Sequence, residues 1–168
     1  MADIKFEYPA EADVTITLAA LATSSTRLVG RQSTAINNTV NKYLDYLVSG
    51  RIMTGTTPTT ARSIEIWCVA ALDNAAPTYL AGFGASDAAG PTLILENKNN
   101  VCKLVWSMST VATSDQAYSF GAVSIAALFN GVCPPRFVFF VTHDTGVNLN
   151  ATTGNHQLRL QPIFETVT

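Results

Sequence analysis

The chain has 168 residues, about one domain at ~150 residues per domain. It is 48% hydrophobic, with a mean hydropathy of +0.22, so it can bury a core of its own and is not a disordered tail. Ten basic and 12 acidic residues leave a net charge of -2, which excludes a chain built to neutralise nucleic-acid phosphate.

No apolar run approaches the ~20 residues needed to cross a bilayer. Met1 to Glu11 is polar and mixed in charge, without the basic-then-apolar order of a signal peptide. Residues 1–12 read as an extended N-terminal arm in which Pro9 forbids a helix, and 13–168 as a single domain. Asp13 to Leu18 alternates polar and apolar side chains, the pattern of a half-buried strand. From Ala19 to Asn41 the chain is polar and aperiodic, a long connection with one short strand at Thr26–Gly30. Tyr43 to Met53 is predicted as a long strand, with Gly50 marking a bulge or a close backbone approach.

After a Thr/Pro/Gly turn, Arg62 to Leu72 is the clearest strand, with Ile64, Ile66, Cys68 and Ala70 on one face. Glu65, Trp67 and Val69 take the other, and 73–77 breaks the run. Tyr79 to Phe83 and Thr92–Leu95 are expected as short strands, and Gly82–Gly90 as a flexible surface loop. Asn97 to Asn100 is expected as a hairpin turn. Val101 to Met108 follows as a strand with Cys102, Leu104, Trp106 and Met108 on one side, and Ala117–Val123 as another.

Ile125, Leu128, Phe129 and Val132 recur at helical spacing behind Ser124, a residue suited to an N-cap. Asn130-Gly131 stops this two-turn helix and Pro134-Pro135 prevents its continuation. The continuous apolar run within Arg136–Thr142 marks a central strand covered on both faces. Gln157 to Ile163 alternates, with Leu158 and Leu160 inward and Pro162 placing the strand at an edge or near a sheet end. About eight strands, one short helix and no βαβ rhythm predict an all-β antiparallel sandwich or barrel.

Reactive motifs are missing from the sequence. Cys68, Cys102 and Cys133 form no C-x-x-C pair and read as small core hydrophobes of a protein made in a reducing cytoplasm. His143 and His156 stand singly at strand ends and read as solvated turn residues rather than metal ligands. Gly84-Ala85-Ser86-Asp87 is not a nucleophile elbow, and no spacing selects a carboxylate pair from Asp73, Asp87, Glu96 and Asp115. No catalytic, cofactor-binding or metal-binding residue is therefore assigned, and the expectation is a protein that is not an enzyme. Tyr43, Tyr46 and Trp67 are the rings that could form a sugar-stacking platform.

One further pattern lies in the order of features. The apolar segment 124–129 leads through Pro134-Pro135-Arg136 to the hydrophobic strand Phe137–Val141, a Thr145-Gly146 turn, and a closing strand beyond Gly154-Asn155. Together with Val48–Gly55 and Arg62–Trp67, this order resembles the small jelly-roll virion proteins of tailed bacteriophages that decorate or cement the head shell. The likeness covers 42–72 and 117–165. It implies a jelly-roll fold and a non-enzymatic, homo-oligomeric capsid decoration protein. The implied partner is the major capsid protein, and the implied location is the capsid exterior after synthesis in the bacterial host cytoplasm. Neither nucleic acid nor membrane is an expected partner. A glycan- or receptor-binding module of a tail tip or fibre is the alternative.

Overall fold

Period-two alternation and one continuous apolar run dominate the chain, and the structure, a computed structural model that describes residues 3–71, 73 and 78–167, is built accordingly from antiparallel strands. In chain order these are β1 (Ile4–Glu7), β2 (Ala12–Asp13), β3 (Arg31–Gln32), β4 (Ile36–Asn37), β5 (Asp45–Met53), β6 (Ser63–Ala70), β7 (Ala88–Ala89), β8 (Lys103–Ser109), β9 (Ala117–Ser124), β10 (Arg136–His143) and β11 (Gln157–Val167). Two helices accompany them, α1 (Leu95–Val101) and the single turn α2 (Ile125–Leu128). One sheet runs β1-β11-β5-β9, with β2 also on β11; the other runs β7-β3-β10-β6-β8, with β4 also on β10. The long strands repeatedly cross from one sheet to the other, which makes a jelly-roll-like sandwich.

Strand β10 explains why the second sheet sits at the centre. Every residue from Phe137 to His143 is buried. Phe137, Phe139 and Val141 enter the core between the sheets, where they meet Ile52, Ile64, Ile66, Leu158 and Leu160. Val138 and Phe140 point the opposite way, into a second cluster with Val69, Phe83, Leu93 and Cys102. The segment 78–102, inserted between β6 and β8, supplies that outer cover. Burial on both faces is what a continuous apolar run requires.

The expected features of β5 hold. Its ladder to β9 shifts register between Val48 and Gly50, the bulge that the glycine announced. A β-carbon at Gly50 would stand 2.5 Å from the Gln157 carbonyl oxygen and 2.8 Å from the Phe120 ring. The Ser124 cap also holds: its hydroxyl accepts from the Ala127 N–H at 3.0 Å and donates to Asp45 at 2.5 Å.

Several expectations fail, each for a local reason. Val14, Ile16 and Leu18 do turn inward, but of the segment Asp13–Leu18 only Asp13, the last residue of β2, joins a ladder. Thr26–Gly30 is no strand, because Arg27 adopts φ 55 in a turn closed onto Ser24. Leu80–Gly82 is a 3-10 turn with Ala81 at φ 58, which leaves Tyr79 a single bridge to Ala71. Thr92–Ile94 is unpaired with any strand, and the asparagine cluster at 97–100 lies in α1 rather than a hairpin. Tertiary anchoring by Leu93, Lys98 and Cys102 overrides the poor helix propensity of asparagine there.

The one predicted helix, behind Ser124, shrinks to one turn. Asn130 and Gly131 adopt φ 59 and 86, and Val132 is exposed rather than inward. In β8 the alternation breaks at a register shift opposite Ile66/Trp67, so that Cys102, Val105 and Met108 are buried while Leu104 and Trp106 face solvent. The Gly82–Gly90 loop is stitched down. Gly84 N–H donates to Gln32, Ala35 N–H to Ala85 O, and β7 pairs with β3.

Pro162 is also placed differently from its expectation, inside β11 rather than at a sheet edge or end. Leu158 O accepts from Val14 N–H while Ile163 O accepts from Leu44 N–H, so even-numbered β11 residues direct their backbone groups to the N-terminal segment. The missing N–H of Pro162 therefore faces residues 8–11, where the ladder is interrupted between β1 and β2. A central strand accommodates the proline because its neighbour detaches at that point. Leu72, Asn74–Pro77 and the terminal residues 1, 2 and 168 lie outside the described residues.

Candidate interaction surface

The side chains singled out for chemistry are occupied by the fold. His143 is fully buried, not solvated: strand β10 carries it under Leu21, whose carbonyl oxygen lies 3.0 Å from Nε2. That oxygen can only accept, so the ring proton sits on Nε2, and Nδ1 faces the Thr145 hydroxyl at 3.0 Å. His156 accepts from Met53 N–H at Nδ1 and donates from Nε2 to Asn150 O at 2.7 Å. Burial lowers the pKa of both imidazoles below the ordinary 6.5, against the opposing hydrogen bonds to Leu21 and Asn150.

Asp87 is held by Arg31 (2.6 Å) and by the Thr17 hydroxyl (2.6 Å). Burial alone would raise its pKa, but these bonds outweigh it and leave the carboxyl below its usual range. Asp115 accepts from Asn150 Nδ2, Glu96 is exposed on α1, and Asp73 is exposed beyond β6. The four carboxylates thus stand on separate elements. Among the described residues no group of three or more His, Cys, Asp or Glu is arranged to hold a metal ion. Burial raises all three thiols, Cys102 to about 11 and Cys133 to about 12, which makes them poor nucleophiles.

These shifts set a pH window for stability. The unfolded histidines take up protons near 6.5 while the folded ones resist, so their contribution is complete above pH 6.5 and lost as the pH falls below it. The buried thiols act in the opposite sense: their contribution is complete below pH 9.0 and lost as the pH climbs toward 11 and 12. Urea midpoints measured across the scale should form a plateau between these limits. A midpoint that rises on acidification from 7 to 5 would contradict the buried, neutral His143.

The sugar-platform rings do not form one. Tyr46 is buried and donates to Asn38 Oδ1 at 3.2 Å. The Trp67 ring is capped by Lys98 Nζ, 4.7 Å from its centroid, and its Nε1 donates to Glu65. Tyr43 lines three concavities, and Tyr46 contributes to one of them from its buried position.

Around Tyr43 lies an exposed apolar region with Leu44 and Val132. Buried Asn38 fixes the 38–43 loop, accepting from Tyr43 N–H at 2.8 Å and donating to Tyr43 O at 2.9 Å. The Tyr43 ring meets Tyr46 edge-on at 5.5 Å and Phe164 at 6.1 Å, and Tyr46 in turn meets Phe137 at 5.6 Å. A chain of rings therefore anchors this surface to the core. Three concavities adjoin Tyr43. One of about 510 Å³ lies against Leu44, Val132 and Cys133, one of about 450 Å³ against Tyr8, Asn41 and Phe164, and one of about 330 Å³ against Val14, Ile36 and Pro162. Tyr8 (61% exposed) and Val132 (70%) stand in these concavities, whereas Ile4 (66%), Phe6 (61%) and Val167 (71%) are exposed on the opposite face of the β1–β11 ladder from Phe164. The expected extended arm contains a strand, β1, and Ile4-Lys5-Phe6-Glu7-Tyr8 does alternate as cleanly as any strand in the chain.

No helix among the described residues is long and apolar enough to cross a membrane. No protein-family model matches the chain, and no curated protein matches it.

Proposed function

We propose that this is a non-enzymatic structural protein of a bacteriophage particle, a homo-oligomer that decorates the head and stabilises the shell by binding the major capsid protein from outside. The observation that carries the reading is the rigid apolar surface around Tyr43. It combines exposed Leu44, Val132 and Tyr8 with a ring chain seated on the core, the arrangement of an adhesive patch rather than a reactive cleft. The resemblance of 42–72 and 117–165 to head decoration proteins supplies the partner. A weakly charged surface suits such contacts, because hydroxyl and amide groups cost less to desolvate than charges. Many copies on one shell make modest single contacts effective through avidity.

The test is reconstitution on heads that lack the protein. Added chain should sediment with the heads and raise their resistance to heat or chelation. Leu44→Asp and Val132→Asp should each weaken binding by about tenfold or more, as charges placed in an apolar contact do. Heads that take up none of the chain, or gain nothing from it, would refute the assignment. Sugar-specific binding on a glycan array would move it to a tail module.

A further inference from the structure

We infer that two copies of this chain join through their β1 strands, edge to edge and antiparallel, with Phe6 on the two-fold axis. The inference specifies the oligomer of the reading above and rests on that part of it alone; shell binding and self-association fail in separate assays.

Strand β1 is the outer strand of its sheet. Its residues Ile4, Lys5, Phe6 and Glu7 pair with Val167, Thr166, Glu165 and Phe164 on one side, and no described strand pairs with the other. Even-numbered β11 residues direct their backbone groups toward the N-terminal segment, so Thr166 and Phe164 engage Lys5 and Glu7. The N–H and C=O groups of Ile4 and Phe6 consequently face the open edge. An apolar edge strand of this kind is a template for another strand.

The sequence of β1 selects both occupant and register. Antiparallel pairing about a two-fold axis must bring residues of like parity together, which allows few alignments. Centring on Lys5 sets lysine against lysine, and centring on Glu7 sets glutamate against glutamate. Centring on Ile4 leaves only a short overlap. Centring on Phe6 places Lys5 opposite Glu7 of the partner subunit, and Glu7 opposite the partner's Lys5. Phe6 then meets the partner's Phe6, and Ile4 the partner's Tyr8.

In this alignment the Phe6 pair exchanges backbone hydrogen bonds, whereas the Lys5–Glu7 pairs occupy the non-bonded positions, where Cα atoms approach to about 4.5 Å and side chains lie closest. Ile4, Phe6 and Val167 share one face, so the apolar stripe of one copy continues into that of the other. The balanced charges of Lys5 and Glu7 also separate this edge from one protected by a run of lysines.

Sedimentation of the whole chain over a range of concentrations should show a monomer–dimer equilibrium. Lys5→Glu and Glu7→Lys should each weaken it by about tenfold or more, since each turns both cross-axis pairs repulsive. Mixing the two variants should restore dimers: one chain then carries glutamate at both positions and the other lysine at both, so each cross-axis pair is again of opposite charge. Phe6→Cys should cross-link to a dimer under mild oxidant, the hydrogen-bonded position giving a Cα separation of about 5.5 Å, within disulfide reach. Thermal unfolding of each variant confirms that it is folded. A chain monomeric at the highest concentration, a dimer indifferent to Lys5→Glu, a trimer, or variant mixtures that stay monomeric would each overturn the inference. So would a monomer that loses binding to heads on Lys5→Glu, which would assign the edge to the capsid protein.

Discussion

Replacing Gly30 with alanine should destabilise the fold by about 3 kcal/mol or more, beyond the usual cost of one added methyl group in a packed core. The new β-carbon would fall deep inside the contact distance of the Val141 carbonyl oxygen and 3.0 Å from the Val141 carbonyl carbon. Val141 belongs to β10, held on both sides by β3 and β6, so its backbone has nowhere to retreat. Gly90 lies across the same site, its N–H bonded to Gly30 O at 2.9 Å, and a β-carbon there would stand 2.6 Å from the Phe140 ring.

The two glycines form a slot for Phe140, closed by Phe83 edge-on at 5.4 Å. The obstacles differ in kind, and a double-mutant cycle separates them. Phe140→Leu should recover much of the loss in Gly90→Ala, where the ring alone is in the way, and only a small part in Gly30→Ala, where the ring stands at 3.0 Å but the Val141 backbone is nearer. Gly121→Ala is the control, with nothing within 4 Å, and should change stability by no more than about 0.5 kcal/mol. Chemical unfolding of the set measures all four effects. A Gly30→Ala variant as stable as Gly121→Ala would mean that the outer cover does not close on β10 as described.

That slot also shows where sequence reasoning stops. The apolar run 136–142 announced a strand covered twice, because no other arrangement hides consecutive phenylalanines. What covers its outer face could not be read. The cover is a segment of turns, glycines and asparagines whose burial depends on long-range partners, and Lys98 is the sharpest instance: a charged residue among asparagines that ends up 4% exposed. Alternation located Ile64, Ile66, Cys68, Leu158 and Leu160 correctly, since period two survives wherever the ladder is regular. It failed in β8, where one bulge reversed Leu104 and Trp106, because a register shift leaves no mark in composition. His143 was misjudged for a related reason. Its neighbours in sequence are turn residues, whereas its neighbours in space are Leu21 and the core. The surface around Tyr43 was legible in part: the Tyr43 ring stands out in the sequence, but the ring chain that supports it joins residues from three separate strands and a loop.

Glu65→Ala should cost about 3–5 kcal/mol, the penalty for leaving a buried charge without its partner. Glu65 is the hub of an ion network beneath α1. One carboxylate oxygen accepts from Arg27 Nε at 2.9 Å, and the other from Lys98 Nζ at 2.6 Å and Trp67 Nε1 at 3.0 Å. Arg27 continues to Asp144 at 2.7 Å, and Asp144 accepts from Ser63 N–H at 2.6 Å. Lys98 completes its coordination on Arg27 O at 2.8 Å and over the Trp67 ring. Without Glu65 the Lys98 ammonium keeps only a carbonyl and a ring, too little for a charge so far from water.

Lys98→Met should be milder, about 1–3 kcal/mol, because Glu65 retains Arg27 and Trp67 while the methionine stem still packs. The order of the two losses is the diagnostic result, since a surface ion pair would make both near zero. Salt supplies the second readout. The Glu65 loss should persist at 1 M ionic strength, where exposed pairs are screened within about 3 Å. Amide exchange supplies the third: the Lys98 and Cys102 N–H groups, bonded to Ile94 O and Lys98 O, should exchange faster in both variants than the β10 amides do. Equal, small, salt-sensitive losses would instead mean that α1 is held by its apolar anchors alone and that the charges beneath it are incidental.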